Sequence, residues 1–268
     1  MKRFSHESLV KNTNPKTGVE FQNRMDVVWV LDIKKKEIEE VPIQDVNIEF
    51  GYFGEHIEQL LSTKESAFSQ LLTALDKWER AVRLGQNETF EFGKYEEMLN
   101  EFLKLSLVRA DNMLDTVKEG SVYGGLIKGT AFYDEIFSRD KLVEIMLDKP
   151  ILKEAMEKFR VNLMLNISDK NFITSKGCWY SAYESNTDQQ IIFPIDAKKA
   201  IIWYDKKFDY RYALADGTIG TQCIKDGKGV ENLNTCCLRS QLHGDCDFLV
   251  AKEKHELEQL LPKIETLS

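Results

Sequence analysis

Between residues 55 and 83 apolar side chains return every three or four positions, at Ile57, Leu60, Leu61, Phe68, Leu71, Leu72, Leu75, Trp78 and Val82. That period gathers them onto one stripe and predicts a single long amphipathic helix. A second helix is predicted over 94–117, carried by Met98, Leu99, Phe102, Leu103, Leu107, Val108 and Leu114. Gly120, Gly124, Gly125 and Gly129 break it, and the two helices are expected to pair as a hairpin. Ser138 marks another helix start before the apolar run 142–147, and Pro150 suits the first position of the helix after it. Residues 55–160 therefore read as a helical subdomain.

Elsewhere the pattern is that of strands. The run 26–47 has β-branched and aromatic positions, a charged turn at 34–37 and a second run broken by Pro42, which predicts a hairpin with an edge strand. Short apolar runs at 161–167, 171–174, 190–194, 200–204 and 247–251 predict five further strands. Those at 171–174, 190–194 and 200–204 are expected to lie side by side. Helices are predicted over 231–243 and 254–264, and residues 1–24 as an irregular arm or short hairpin. Strands, then helices, then a mixture of the two argue for an α+β fold. The expected architecture is one composite domain over 1–268: an arm and hairpin (1–50), the helical subdomain (55–160) and a mixed part (161–268). The helices pack on a small mixed or antiparallel sheet.

At 268 residues the chain can bury a sizeable core. Its formal net charge of −8 disfavours broad binding to nucleic-acid phosphates or anionic lipid. No stretch has the apolar length of a signal peptide core or a membrane span, so a cytoplasmic location is expected. Five cysteines in a long chain with an ordinary core are expected to be reduced.

Several residues could carry chemistry. Cys236, Cys237, His243 and Cys246, with Cys223 upstream, are of the types that zinc selects. Adjacent cysteines on a helix point about 100° apart and no C-x-x-C pair is present, so buried thiols are the expectation. A metal-dependent hydrolase of phosphodiesters would need carboxylates beside a D-x-K triplet to hold Mg²⁺. Asp196-Ala197-Lys198 with Asp188, and Asp32-Ile33-Lys34 with Asp26, fit in letters. In a chain with 30% charged residues such triplets also arise as solvated strand ends. No cofactor is therefore expected, with zinc and magnesium as the alternatives. His6 or His56 could act as acid or base with Glu55, Glu58 or Glu65, and Arg109 could hold an anion. Cys178 lacks a nearby histidine to activate it. In the polar loop 175–188, Ser175, Lys176, Trp179 and Tyr180 form a candidate contact surface.

Several islands together resemble the domain of unknown function family 4238, found mainly in bacteria. Phe172-Ile173-Thr174-Ser175 is similar to the family's Phe-Ile-Thr-Ser turn, and Ile192-Phe193-Pro194 to its later Phe-Pro-Leu. The strand run 27–46, the helix with Glu58, Leu61 and Glu65, and Arg109 in FLKLSLVRA extend the resemblance over roughly residues 6–264. The family's Asp-Asn-Pro after that turn is Lys176-Gly177-Cys178 here, so the role of its acidic residue does not carry over. The resemblance implies a bacterial or phage-associated setting and supplies no activity. The expected function is interaction with a protein partner; the alternative is a metal-dependent nuclease or other phosphodiester hydrolase.

Overall fold

Valines and a tryptophan at 27–30, followed by Leu31, give a strand that is apolar on both faces, and a sheet forms around it. The computed structural model describes residues 5–13, 20–46, 55–86, 90, 95, 98–99, 140–141, 159–175, 179–183, 189–211, 221–242 and 247–267. In it β2 (Glu20–Asp32) pairs antiparallel with β1 (His6–Thr13) through Glu20–Val27. It pairs with β3 (Glu37–Pro42) through Val27–Asp32. Of the two alternatives expected for residues 1–24, an irregular arm or a short hairpin, the antiparallel hairpin is the one found. The charged turn between β2 and β3 closes where Asp32 Oδ1 accepts the Lys35 amide at 2.9 Å, and Lys36 takes a left-handed φ of 58°.

The predicted long helix is present as α1 (Glu55–Arg83), with Phe68, Leu71, Leu75 and Trp78 buried along the expected stripe. The predicted helices over 94–160 lie almost wholly outside the described residues. Strands resume with β4 (Phe159–Asn166), β5 (Thr174–Ser175), β6 (Tyr180–Tyr183), β7 (Gln189–Pro194), β8 (Lys199–Asp205) and β9 (Gln222–Ile224). After them come α2 (Gly227–Leu242), β10 (Phe248–Ala251), and the short helices α3 (Lys254–Glu258) and α4 (Leu261–Leu267). The single helix expected over 254–264 is two, separated around Gln259 and Leu260.

The α+β class is as the sequence predicts, but the described strands form two five-stranded sheets instead of one. The first contains β1, β2, β3, β10 and β5; the second runs β6-β7-β8-β4-β9. Its pairs are antiparallel except β4 with β9. Of the three segments expected side by side, 190–194 and 200–204 pair as β7 and β8. The segment at 171–175 belongs elsewhere. Its Phe172 amide bonds the Ala197 carbonyl in the β7–β8 turn (2.9 Å), and by Thr174 the chain has reached β10, with Thr174 opposite Val250. Phe172 and Ile173 are both fully buried, which fits a crossing between two sheets and not a strand with alternating faces.

One core joins the two sheets. Leu31, Ile33, Leu249 and Ala251 from the first sheet share a cluster with Met164, Ile192, Ala200, Ile202 and Tyr204 from the second. Val230, Cys237 and Leu238 of α2, with Leu257 and Ile264 beyond, complete it. Asn234, buried in α2, ties that helix to the crossing: its Oδ1 accepts the Ile173 amide (3.1 Å) and its Nδ2 donates to the Asn171 carbonyl (2.9 Å). At the start of α2 a Cβ on Gly227 would lie 2.8 Å from Lys170 Cγ, so the helix approaches the loop as closely as it does because no side chain intervenes. Among the described residues no helix is long and apolar enough to cross a membrane.

Asn234→Leu keeps the volume but strips both backbone groups of their partner, and each buried group left bare costs about 1–3 kcal/mol. Urea denaturation should show that loss in full, whereas Asn232→Ala, one turn face away and exposed, should change stability by less than about 0.5 kcal/mol. Equal, small effects would remove the clamp from the account.

Candidate functional site

The second sheet carries buried polar side chains on both faces. β8 is buried along its length, with Ala200, Ile202 and Tyr204 turned to the shared core. The alternate residues Ile201 and Trp203, opposite Leu163 and Val161 of β4, form the other face, and Lys199 stands at its end opposite Leu165. An ammonium on an apolar face must be paired.

Three carboxylates meet it. Asp76 and Glu79 sit three residues apart on α1 and so share a face. Asp196 comes from the β7–β8 turn. Lys199 Nζ lies 2.8 Å from Asp196 Oδ2 and 3.2 Å from Asp76 Oδ1, and it donates to Glu79 Oε2. Glu79 Oε1 accepts from Arg83 Nε at 2.8 Å, and Arg83 Nη2 donates to the Asn166 carbonyl at 3.2 Å. Burial opposes ionisation of Glu79, but the Lys199 and Arg83 donors outweigh it and hold its carboxyl below the usual range. For Lys199 burial likewise opposes the charge, and Asp196 and Glu79 overcome it and raise the ammonium's pKa. The group is an ion network with its charges in place.

Oxygens of Asp76, Glu79 and Asp196 all lie within 4.8 Å of one another, a spacing that could also hold a divalent cation. Here the chain supplies its own cation in Lys199. The neighbouring Lys198 is committed elsewhere, donating to the carbonyls of Ser168 (2.8 Å) and Lys170 (2.5 Å). Burial and the nearby Arg83 depress its pKa. Asp196 Oδ1 caps the turn by accepting the amides of Lys198 (2.7 Å) and Lys199 (2.8 Å). Asp196 and Lys198 therefore do not aim together as a D-x-K pair would, and Asp188 lies outside the described residues. The other triplet behaves similarly: Asp32 pairs with Lys35 (3.0 Å), whose backbone and side-chain hydrogen bonds lower its pKa, and Lys34 pairs with Asp247 (2.5 Å).

On the opposite face of the second sheet an open cleft of about 640 Å³ runs between the sheet and α2. Its floor is Met164, Ala182 and Gln190; Gly229, Leu233 and Cys236 of α2 form one wall. Arg211, Cys223 and Lys225 stand among its rim residues. Gln190, between Ala182 and Tyr204 in register, is 6% exposed. Arg211 lies at the end of the 3₁₀ turn Lys206–Arg211 with its guanidinium 4.6 Å from the Phe208 ring centroid and 5.7 Å from that of Tyr210. Its Nε donates to Tyr210 Oη at 3.2 Å. Tyr210 itself is 69% exposed.

The remaining sequence candidates fall into three groups. His6 Nε2 lies 2.8 Å from Glu40 Oε1, Ser8 Oγ donates to Glu40 Oε2 at 3.1 Å, and the imidazole stacks on Trp29. Its partner is thus a glutamate of β3. Glu58 and Glu65 are on α1, but their side chains, like those of His56 and Glu55, lie outside the described residues, as do Arg109, Lys176, Cys178, His243 and Cys246 entirely. The expected contact surface needs correction at two positions: Ser175 and Tyr180 are fully buried, the first paired with Leu249 across β10 and the second in the core cluster. Trp179 is half-buried. Of the thiols, Cys237 packs into the core and Cys236 faces the cleft, diverging as adjacent helical residues must. Burial pushes the Cys236 thiol up, and Cys223, exposed on β9, is raised by the same desolvation with Lys225 opposing it.

Lys199→Met should lower the unfolding free energy by roughly 3–5 kcal/mol, because it leaves carboxylates crowded without their cation. Urea denaturation at neutral pH measures it. A loss below about 1 kcal/mol, the size typical of an exposed pair, would mean that solvent already screens the cluster.

Comparison with known proteins leaves the reading to this geometry: no protein-family model, curated protein or solved structure matches the chain.

Proposed function

We propose that this chain acts by gripping another macromolecule, with the cleft between α2 and the second sheet and the adjoining Lys206–Arg211 turn as the contact face. The observation that carries the reading is the open cleft itself, whose floor of Met164, Ala182 and Gln190 is rimmed by Arg211 and Lys225, with Tyr210 69% exposed beside it. Tyr210 and Arg211 beside the mouth are the residue types that anchor interfaces. The resemblance to family 4238 goes with a bacterial or phage-associated setting and adds no chemistry to this reading.

Metal-dependent phosphodiester hydrolysis is the second reading, favoured by the close approach of Asp76, Glu79 and Asp196. Against it stands Lys199, whose ammonium already contacts all three carboxylates.

Tyr210→p-benzoylphenylalanine, irradiated in cells of the native source, should give a discrete cross-linked product, and Lys77→p-benzoylphenylalanine on the exposed side of α1 should not. The same product from both positions, or from neither, contradicts the contact face. Millimolar Mn²⁺ should leave the melting temperature unchanged; a saturable rise that disappears in Asp196→Asn would favour the hydrolase reading.

A further inference from the structure

We propose that Glu256 is a proton-operated latch: with its carboxyl protonated, α3 stays docked at the crossing between the two sheets, and on ionisation α3 lets go. The latch goes beyond the contact face described above and does not depend on it.

Its basis is where a carboxyl has been put. Glu256 closes the first turn of α3, with Oε2 accepting the Glu253 amide at 3.2 Å while the Glu253 side chain caps the Glu256 amide. The surroundings are dry. Glu256 is 5% exposed, and its other oxygen, Oε1, is shut off from water with no hydrogen-bond partner among the described residues. An ionised carboxylate with one oxygen bare in such a place is far more costly than the neutral acid.

The neighbouring charges do not offset that cost. Lys170 and Lys198 act on Glu256 from the loop before the crossing and from the β7–β8 turn, and Asp169 acts on both lysines. Lys170 Nζ is held 2.9 Å from Glu231 Oε1 of α2, and Lys198 Nζ donates to the carbonyls of Ser168 and Lys170. On α3 itself the His255 charge favours the anion and the Glu253 charge opposes it, while Lys254 pairs with Glu258 and stands over the Trp29 ring. Of the strands that α3 packs on, β10 carries no ionisable residue, and β2, where it pairs with β10, carries only Asp32, which Lys35 engages. β3 carries Glu37, Glu39 and Glu40, more negative charge, with Glu40 engaged by His6 and Ser8. Burial therefore outweighs the Glu253 amide, the Asn171 side chain and His255, and holds the Glu256 carboxyl above its ordinary value of 4.5. Glu79 shows the opposite outcome: burial opposes its charge too, but Lys199 and Arg83 overcome it.

Ionisation has a defined place to act. Asn171, whose side chain hydrogen-bonds the Glu256 carboxyl, is also the residue whose carbonyl accepts Asn234 Nδ2 from α2. The two helices thus meet at one residue of the crossing. Leu257 and Leu260, next along the chain, are buried in the shared core. Lifting α3 with those two leucines is the way for water to reach a charged Glu256. A proton held more tightly by the folded chain than by the unfolded one stabilises the fold at low pH. That contribution is lost as pH rises from about 4.5 through the folded value.

Amide hydrogen exchange of the full chain, expressed as protection factors so that the intrinsic pH dependence cancels, reads the latch at Gln259 and Leu260. Their amides donate to the His255 and Leu257 carbonyls at 3.2 and 2.9 Å. Between pH 4.5 and 8 protection at both should fall, by up to about tenfold per pH unit while Glu256 titrates, and then level off. Glu256→Gln, which keeps an acceptor for the Glu253 amide, should remove that dependence and leave both amides better protected than the wild type at pH 8. Glu256→Met, uncharged and apolar, should do the same, and His255→Gln should keep the fall. Wild-type protection that is constant with pH, an equal fall in Glu256→Gln, or a fall that disappears in His255→Gln each overturns the proposal. Loss of protection at every pH in both Glu256 variants also overturns it, since the carboxyl would then serve only to cap the helix.

Discussion

The Asn234 carboxamide holds the place where the chain leaves one sheet for the other. Phe172 and Ile173 make that crossing fully buried, where a backbone amide or carbonyl without a partner is expensive. The β7–β8 turn satisfies the Phe172 amide, and Asn234 satisfies Ile173 and Asn171. The same two hydrogen bonds set the position of α2 against the crossing. The shared core, the close start of the helix at Gly227 and the width of the cleft all follow from where α2 lies.

Two buried polar side chains on opposite faces of the second sheet show how burial separates structure from function. Lys199 is surrounded by Asp76, Glu79 and Asp196, with Arg83 behind Glu79, so each carboxylate there has a cation in contact with it. Its effect is to join the last turns of α1 to the β7–β8 turn. Gln190 is 6% exposed, and the cleft opens over it.

Much of the fold was legible because strand and helix periods are local. The α1 stripe, the β2–β3 hairpin with its charged turn, and the β7–β8 pair follow from residue spacing alone. The allocation of Thr174–Ser175 to the first sheet was not legible, because it depends on a hydrogen bond to a side chain sixty-one residues later in the chain. A run such as Phe172-Ile173-Thr174 reads alike whether it pairs or crosses. Asp196 was visible as a carboxylate, but its partners on α1 lie more than a hundred residues earlier, and Lys199 was masked by the adjacent Lys198 in the D-x-K triplet. Gln190 stood within a strand run and carried no motif. One sequence signal could have found it: a polar residue at an inward position of an otherwise apolar strand, in phase with Ile192 and Pro194.

Site-resolved amide hydrogen exchange under native conditions tests the clamp most directly, by comparing Ile173 with Ile202 at the centre of β8. If the crossing is part of the common core, both amides exchange only through global unfolding and report the same free energy. Exchange of Ile173 through a local opening, while Ile202 stays protected, would contradict the account and leave α2 and its cleft as a loosely attached layer.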